Sequence, residues 1–224
     1  EGVDAAALQS ERTRLEADQM AAATLDSRIT EAFKPRPLVS ADIPPSLATW
    51  WSGGAEASGV EGLLASMSSH DASVIIPALR ALPARGTLEP GKVHHQEWKT
   101  AAGESRHYEV YIPPGWTPGS LHACLVVLHG QTQMARAYSD CFIQDASRLG
   151  IVVISPEYIY DRKWGYFFSD SEHEAALGAL RLGRLNHGVD PERVILVGHS
   201  QGGHMSFDLA QAHPGEFAGA APFI

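Results

Sequence analysis

Residues 194–203 read VILVGHSQGG, an apolar run that leads into a serine held between two glycines. The run Val194 to Val197 is typical of a strand buried on both faces, and the residues from about 201 to 212 suit a helix. Ser200 therefore lies on the turn between them, and the segment predicts a strand, a tight turn and a helix in direct succession.

The same alternation of buried strands and helices extends outward from this segment. Tyr108, Val110 and Ile112 alternate with more polar residues, which predicts a half-buried strand. Further strands are predicted at 123–128, 151–154 and 217–224, and helices at 134–149, which ends at Gly150, and 172–187, which ends at Gly188. Alternating strands and helices predict an α/β fold with a mainly parallel sheet flanked by helices.

The first third of the chain has a different character. Residues 1–34 carry apolar side chains at loose helical spacing and predict one or two helices, and the prolines within 35–45 predict a linker. Short helices are expected near 58–67 and 71–82. We therefore predict a helical N-terminal extension over 1–92 and a partial α/β domain over 93–224.

Composition excludes several classes of protein. The net charge of −9 speaks against nucleic-acid binding, which needs clustered Lys and Arg. No apolar run is long enough to span a membrane, and neither a CxxC nor an HExxH pattern predicts a zinc site. The two cysteines, Cys124 and Cys141, do not predict a disulfide. Residue 1 is Glu and no signal peptide follows, so we expect a processed or fragmentary start.

The Gly-x-Ser-x-Gly pattern has a chemical interpretation in this setting. Gly198 and Gly202 remove side chains that would collide across the turn, and the helix that follows directs its N-terminal dipole at Ser200. The backbone N–H of Gln201 is then placed to stabilise an oxyanion. A second donor is expected from the backbone N–H of Gln131, because His129-Gly130-Gln131 follows the buried strand 123–128. The alternative for each segment is an ordinary glycine-rich turn without chemistry.

Together these motifs resemble the α/β-hydrolases of the esterase type, including polyhydroxybutyrate-depolymerase-like and feruloyl-esterase-like enzymes and predicted peptidases. The resemblance covers residues from about 106 to 224. The matching segments are YIPPG at 111–115, LHG at 128–130, DPERV at 190–194 and GHSQGG at 198–203.

The resemblance implies a serine hydrolase that cleaves carboxylic esters, with Ser200 as the nucleophile and with no cofactor. In this family the acid and then the histidine follow the nucleophile along the chain. Asp208 and His213 lie too far along the helix, and His204 points away with it. We therefore expect a sequence truncated at its C-terminus, with the acid and base beyond residue 224.

Substrate contacts are expected from His129, beside the oxyanion turn, and from Trp164, in an aromatic segment that follows a strand at the carboxyl edge of the sheet. That segment could instead pack its aromatic rings onto the domain. Glu157 is expected to be a solvated loop charge, and His122, His173 and His187 are expected at the surface. The substrate would be a small or polymeric ester. Two alternatives stay open: a serine peptidase, and a non-catalytic binding or scaffold protein on a hydrolase fold.

Overall fold

A computed structural model of the chain describes residues 5–38, 82–100, 102–158 and 166–223. The expected helices near 58–67 and 71–82 lie outside these residues. The chain divides into two compact units, Glu1–Lys34 and Pro35–Ile224. The second unit thus begins well before residue 93, where we placed the start of the α/β domain.

The first unit contains a single helix in its described part, α1 (Ala5–Phe33), in agreement with the helical pattern of the sequence. Exposed ion pairs one turn apart support it, such as the one between Arg12 and Glu16 at 2.9 Å.

The second unit is built on a mixed sheet. Its strands are β1 (Arg36–Pro37), β2 (Lys92–Lys99), β3 (Ser105–Ile112), β4 (Ser120–Leu128), β5 (Val152–Pro156), β6 (Val189–His199) and β7 (Gly219–Phe223). Arg36 and Pro37 were predicted in a linker, but they pair with Leu121 and Ser120 of β4 and form a short antiparallel strand.

The strands follow the order β2-β3-β5-β4-β6-β7, with β1 beside β4. Strands β5, β4, β6 and β7 run parallel, whereas β3 is antiparallel to both of its neighbours. The prediction of a mainly parallel sheet is confirmed. Strand β3 is not half-buried as expected: Glu109 and Tyr111 are buried as well as the residues that alternate with them.

Along the chain, the helices connect the successive parallel strands. They are α2 (Ala135–Ser139), a 3₁₀ turn (Asp140–Phe142), α3 (Ile143–Leu149), α4 (Asp170–Asn186) and α5 (Gln201–Ala212). The single helix predicted over 134–149 is thus three shorter pieces, and its predicted end is correct because Gly150 takes a φ of 70°. Helix α4 begins with a capping box, in which Ser169 and Glu172 bond each other's backbone N–H groups.

The core lies between the sheet and its helices. Apolar side chains of β3 to β6 form it together with residues of α4 and α5, for example Val126, Ile154, Leu180 and Leu209. Because β4, β5 and β6 are parallel neighbours, the residues that follow them meet at one edge of the sheet. That edge carries the candidate site.

The described residues contain neither a membrane-spanning helix nor a metal-binding cluster. No helix among them is both long and apolar enough to cross a membrane. No group of three or more His, Cys, Asp or Glu side chains in the described ranges is arranged to hold a metal ion.

Candidate active site

Ser200 connects β6 to α5 with a backbone that serine rarely adopts. Its φ is 54° and its ψ is −118°, a region that glycine favours. Ser200 is the N-cap residue of α5, yet its side chain makes no capping hydrogen bond to that helix. The residue is exposed. The turn therefore presents the serine hydroxyl instead of using it to cap the helix.

The glycines of this turn are required by close backbone contacts. A Cβ atom on Gly198 would lie 2.0 Å from the carbonyl oxygen of Gly202. A Cβ atom on Gly202 would lie 2.1 Å from the carbonyl oxygen of Leu128, at the end of β4. Both distances are far shorter than a van der Waals contact, so any side chain at either position would force the turn apart. The contact of Gly198 is the collision across the turn that we predicted, whereas Gly202 is required by the end of the neighbouring strand β4.

The turn that holds Gln131 lies against the Ser200 turn. Leu128 is the β4 partner of Gly198 in β6, so the two strands end side by side. A Cβ on Gly130 would lie 3.6 Å from both the ring Nδ1 and the carbonyl oxygen of His199. Gly130 also accepts a hydrogen bond from the backbone N–H of Gln133 at 3.1 Å and donates to the Gln133 side-chain oxygen at 3.0 Å.

The backbone around Ser200 is fixed from both sides. Its own N–H donates to the carbonyl oxygen of Phe223 in β7 at 2.6 Å, and its carbonyl oxygen accepts from the N–H of His204 at 3.1 Å. Gln201 is the first residue of α5, where backbone N–H groups have no intrahelical acceptor. The Gln201 side-chain oxygen is buried and has no hydrogen-bond partner among the described residues.

His129, from which we expected a substrate contact, is a buried residue. The side chain is fully buried, with its Nδ1 2.9 Å from the Gly130 carbonyl oxygen and its Nε2 2.8 Å from a carboxylate oxygen of Glu157. The ring stacks on Tyr158, whose hydroxyl donates to the His129 carbonyl oxygen. The Glu157 prediction was wrong, because only 8% of this residue is exposed. The sequence does carry a signal for this pairing, because Glu157 and His129 each directly follow one of two adjacent parallel strands.

The aromatic segment is only partly described, and Trp164 lies outside the described residues. Tyr166 is buried, whereas Phe167 and Phe168 are 60% and 63% exposed. Phe168 has a φ of 58°, a strained value for a bulky side chain. A carboxylate oxygen of the buried Glu172 accepts the Phe167 N–H at 3.0 Å and fixes the segment to α4.

The segment is also connected to α5, a contact that sequence analysis missed. The Tyr166 hydroxyl donates to Asp208, and the Nε2 of His173 lies 2.7 Å from the same carboxylate oxygen. His213 lies behind His173, with a ring-nitrogen distance of 3.3 Å. Burial favours a higher pKa for Asp208, but the hydrogen bonds from Tyr166 and His173 hold that pKa below its usual value.

Two other histidines are core residues and not surface residues as predicted. His122 bonds Ser120 and the Gly150 carbonyl oxygen at 2.7 Å each, and burial lowers its pKa. His187 lies 3.2 Å from the Tyr108 hydroxyl, and burial lowers its pKa to about 4. Both are therefore structural, since burial disfavours the charged imidazole.

No protein-family model and no curated protein matches this chain. Solved structures do match it. The substrate-bound fluorophosphonate-binding serine hydrolase F of Staphylococcus aureus is 18% identical, with a TM-score of 0.50 over 60% of this chain and 57% of that one. A thermostable esterase is 18% identical over 58% of this chain and 40% of that one, with a TM-score of 0.48. The LpqC poly(3-hydroxybutyrate) depolymerase of Bordetella parapertussis is 20% identical over 58% and 51%, with a TM-score of 0.47.

The chain has the α/β-hydrolase fold. It spans about half the length of the solved structures it matches.

Proposed function

We propose that this chain is the nucleophile-bearing part of a serine hydrolase that cleaves carboxylic esters through an acyl-enzyme on Ser200. The observation that carries the proposal is the backbone of Ser200, with φ 54° and ψ −118° at the start of α5 and no capping bond from its side chain. A strained serine at a strand-to-helix turn is the hallmark of a nucleophile elbow. Strain of this kind costs stability, so its presence supports a functional role for the exposed hydroxyl.

In this proposal the oxyanion is held by the backbone N–H groups of Gln201 and Gln131. Gln201 opens α5, whose first N–H groups and macrodipole both favour negative charge. Gln131 follows Gly130, which packs against His199 beside the nucleophile. Two donors that are fixed before the reaction stabilise a developing negative charge without reorganisation.

The reaction begins when the Ser200 oxygen attacks the ester carbonyl carbon while a general base takes the hydroxyl proton. The tetrahedral oxyanion collapses and breaks the bond to the alcohol, which leaves with that proton. Water then attacks the acyl-enzyme by the same route, releasing the acid and restoring Ser200. We propose that a histidine and a carboxylate from outside residues 1–224 serve as the base and its partner, and that no cofactor takes part.

Support for an external base comes from the chain order of the triad in this fold, in which the acid and then the histidine follow the nucleophile. His129 and His122 are buried and held by partners of their own, Glu157 and Ser120. For the substrate, the exposed rings of Phe167 and Phe168 favour an ester with an apolar or aromatic acyl group, and Trp164 is proposed to contribute to the same surface.

A fluorophosphonate probe tests the nucleophile in the full-length protein from its natural source. We expect labelling of the wild type, loss of labelling in Ser200→Ala, and full labelling in a control variant, Ser105→Ala, at an exposed serine at the start of β3. Loss of labelling with an unchanged circular-dichroism spectrum would assign the nucleophile. Labelling that persists in Ser200→Ala, or a wild-type protein that neither labels nor hydrolyses p-nitrophenyl esters, would contradict the proposal.

A further inference from the structure

A buried polar pair lies directly beneath the turn that carries Gln131. His129 is fully buried and Glu157 is 8% exposed, and their Nε2 and Oε1 atoms are 2.8 Å apart. The other ring nitrogen of His129 lies 2.9 Å from the Gly130 carbonyl oxygen. Tyr158 covers the ring with a centroid distance of 4.6 Å. This pair has no part in the bond changes proposed above.

The geometry fixes how many protons the pair holds. The Gly130 carbonyl oxygen only accepts hydrogen bonds, so the Nδ1 of His129 must carry a proton and donate it. The Nε2 then faces a carboxyl group. Either Nε2 is also protonated and Glu157 is a carboxylate, or Glu157 is protonated and donates to a bare Nε2. In both cases the Glu157 carboxyl satisfies Nε2 and holds the ring in the orientation that places the Nδ1–H on the Gly130 carbonyl oxygen.

That carbonyl orients the proposed oxyanion donor. The Gly130 C=O and the Gln131 N–H belong to one planar trans peptide group, so they point in opposite directions. The hydrogen bonds from His129 Nδ1 and from the Gln133 N–H hold the carbonyl and, through it, the direction of the Gln131 N–H. A rotation of this peptide would turn the donor away from the oxyanion.

We propose that Glu157 is a positioning residue, which acts through the His129 imidazole to aim the Gln131 N–H at the developing oxyanion. This inference rests on the proposed function. Loss of the Glu157 carboxyl leaves the buried Nε2 without a partner, so the ring can rotate and withdraw its Nδ1–H from the Gly130 carbonyl oxygen. The Gly130–Gln131 peptide group then loses one of the two hydrogen bonds that orient it. Because an oxyanion donor acts in the transition state, the defect belongs in kcat and not in KM.

Three variants of the full-length protein test this role. Glu157→Ala removes the partner of Nε2, whereas Glu157→Gln retains an N–H that can donate to a bare Nε2. Glu109→Ala is the matched control. Glu109 is also buried, and its Oε1 lies 2.8 Å from a ring nitrogen of His95, but this pair joins β3 to β2 and not the turn that carries Gln131. We expect kcat for a p-nitrophenyl ester to fall roughly 10- to 100-fold in Glu157→Ala, with KM within about threefold. Glu157→Gln and Glu109→Ala should stay within about threefold of the wild type.

A spectroscopic readout separates this inference from the proposed function. In nitrogen-15-labelled protein, the His129 Nδ1–H resonance should be present in the wild type and in Glu157→Gln and lost in Glu157→Ala, whether or not the protein is active. If the wild type shows no activity and no probe labelling, the proposed function fails and this readout still tests the pair.

Two results would overturn the inference: an unchanged kcat and Nδ1–H signal in Glu157→Ala, or a Glu157→Gln variant as impaired as Glu157→Ala. If Glu157→Ala does not fold, Glu157→Met fills the same space without a hydrogen-bonding group and takes its place with the same expected losses.

Discussion

Ser200 has a backbone conformation that glycine adopts at less cost, with φ 54° and ψ −118°. The bonds from its N–H to Phe223 and from the His204 N–H to its carbonyl hold it there. A serine in this conformation bears a strain that glycine would not, which is the relation expected at functional sites.

Removal of the Cβ atom at this position should stabilise the protein. We expect Ser200→Gly to be about 1 kcal/mol more stable than Ser200→Ala, because both lack the hydroxyl and only alanine retains the strained Cβ. Urea unfolding of the two variants at one pH measures the difference. Equal stabilities, or a more stable alanine variant, would show that this turn is relaxed and would weaken its interpretation as a nucleophile elbow.

Sequence periodicity predicted most elements from β3 onward. The apolar runs of β4, β5 and β6 and the glycines after α3 and α4 predicted their positions, because burial and positive φ both leave a signature in residue type. The break between α2 and α3 left no such signature. In the structure the Ser139 hydroxyl donates to the Arg136 carbonyl oxygen at the end of α2, directly before the 3₁₀ turn, a competition between side chain and helix that hydrophobic spacing does not record.

Helix α4 packs against Trp98 of β2 through a glycine. A Cβ atom on Gly178 would lie 2.1 Å from Cη2 and 2.3 Å from Cζ2 of Trp98. Alanine is about 1 kcal/mol better than glycine inside a helix. We nevertheless expect Gly178→Ala to destabilise the protein by about 1 kcal/mol or more, because the indole must move within a packed layer. Thermal unfolding measures the effect.

The control for this effect is Gly215→Ala, where a Cβ atom meets nothing within 4 Å. We expect a change of less than about 0.5 kcal/mol there. In a Trp98→Leu background the cost of Gly178→Ala should largely disappear, since the two residues are in contact. A Gly178→Ala variant more stable than the wild type would contradict the packing shown for α4.

At the scale of the whole molecule, the fold and the strand–turn–helix around Ser200 could be predicted, but the polar contacts between distant segments could not. The pairing of His129 with Glu157 joins residues that are separated by α2, α3 and β5, and the link of Asp208 to His173 joins α5 to α4. Such contacts depend on which strands become neighbours in the sheet. In the sequence alone, a polar or charged residue that will be buried looks the same as one that will be exposed. For this reason Glu157 and His173 were predicted at the surface.

The burial of neutral histidine makes the stability of the whole molecule depend on pH. Burial lowers the pKa of His187 to about 4 in the folded protein, against about 6.5 when unfolded. Between these values the unfolded chain binds a proton that the folded protein rejects, so the free energy of unfolding falls as pH falls. We expect His187 to account for a loss of about 2 kcal/mol between about pH 7 and about pH 5.

Urea unfolding of the wild type and of His187→Gln at both pH values isolates this contribution. Other histidines, such as the buried His122, contribute equally to both proteins and cancel in the comparison. The variant should lose less stability than the wild type on acidification. If both proteins lose the same free energy of unfolding, the pKa of His187 is not lowered and its ring is charged in the folded protein at the lower pH.

The hydrogen bond from the Ser200 N–H to the Phe223 carbonyl has a consequence for biosynthesis. Strand β7 follows α5 in the chain, so the ribosome completes the serine turn before it makes the strand that holds it. A nascent chain that stalls ahead of β7 therefore lacks one of the two backbone hydrogen bonds that hold this serine, and keeps only the bond from the His204 N–H. The other bond forms only once the downstream strand has been made and has docked.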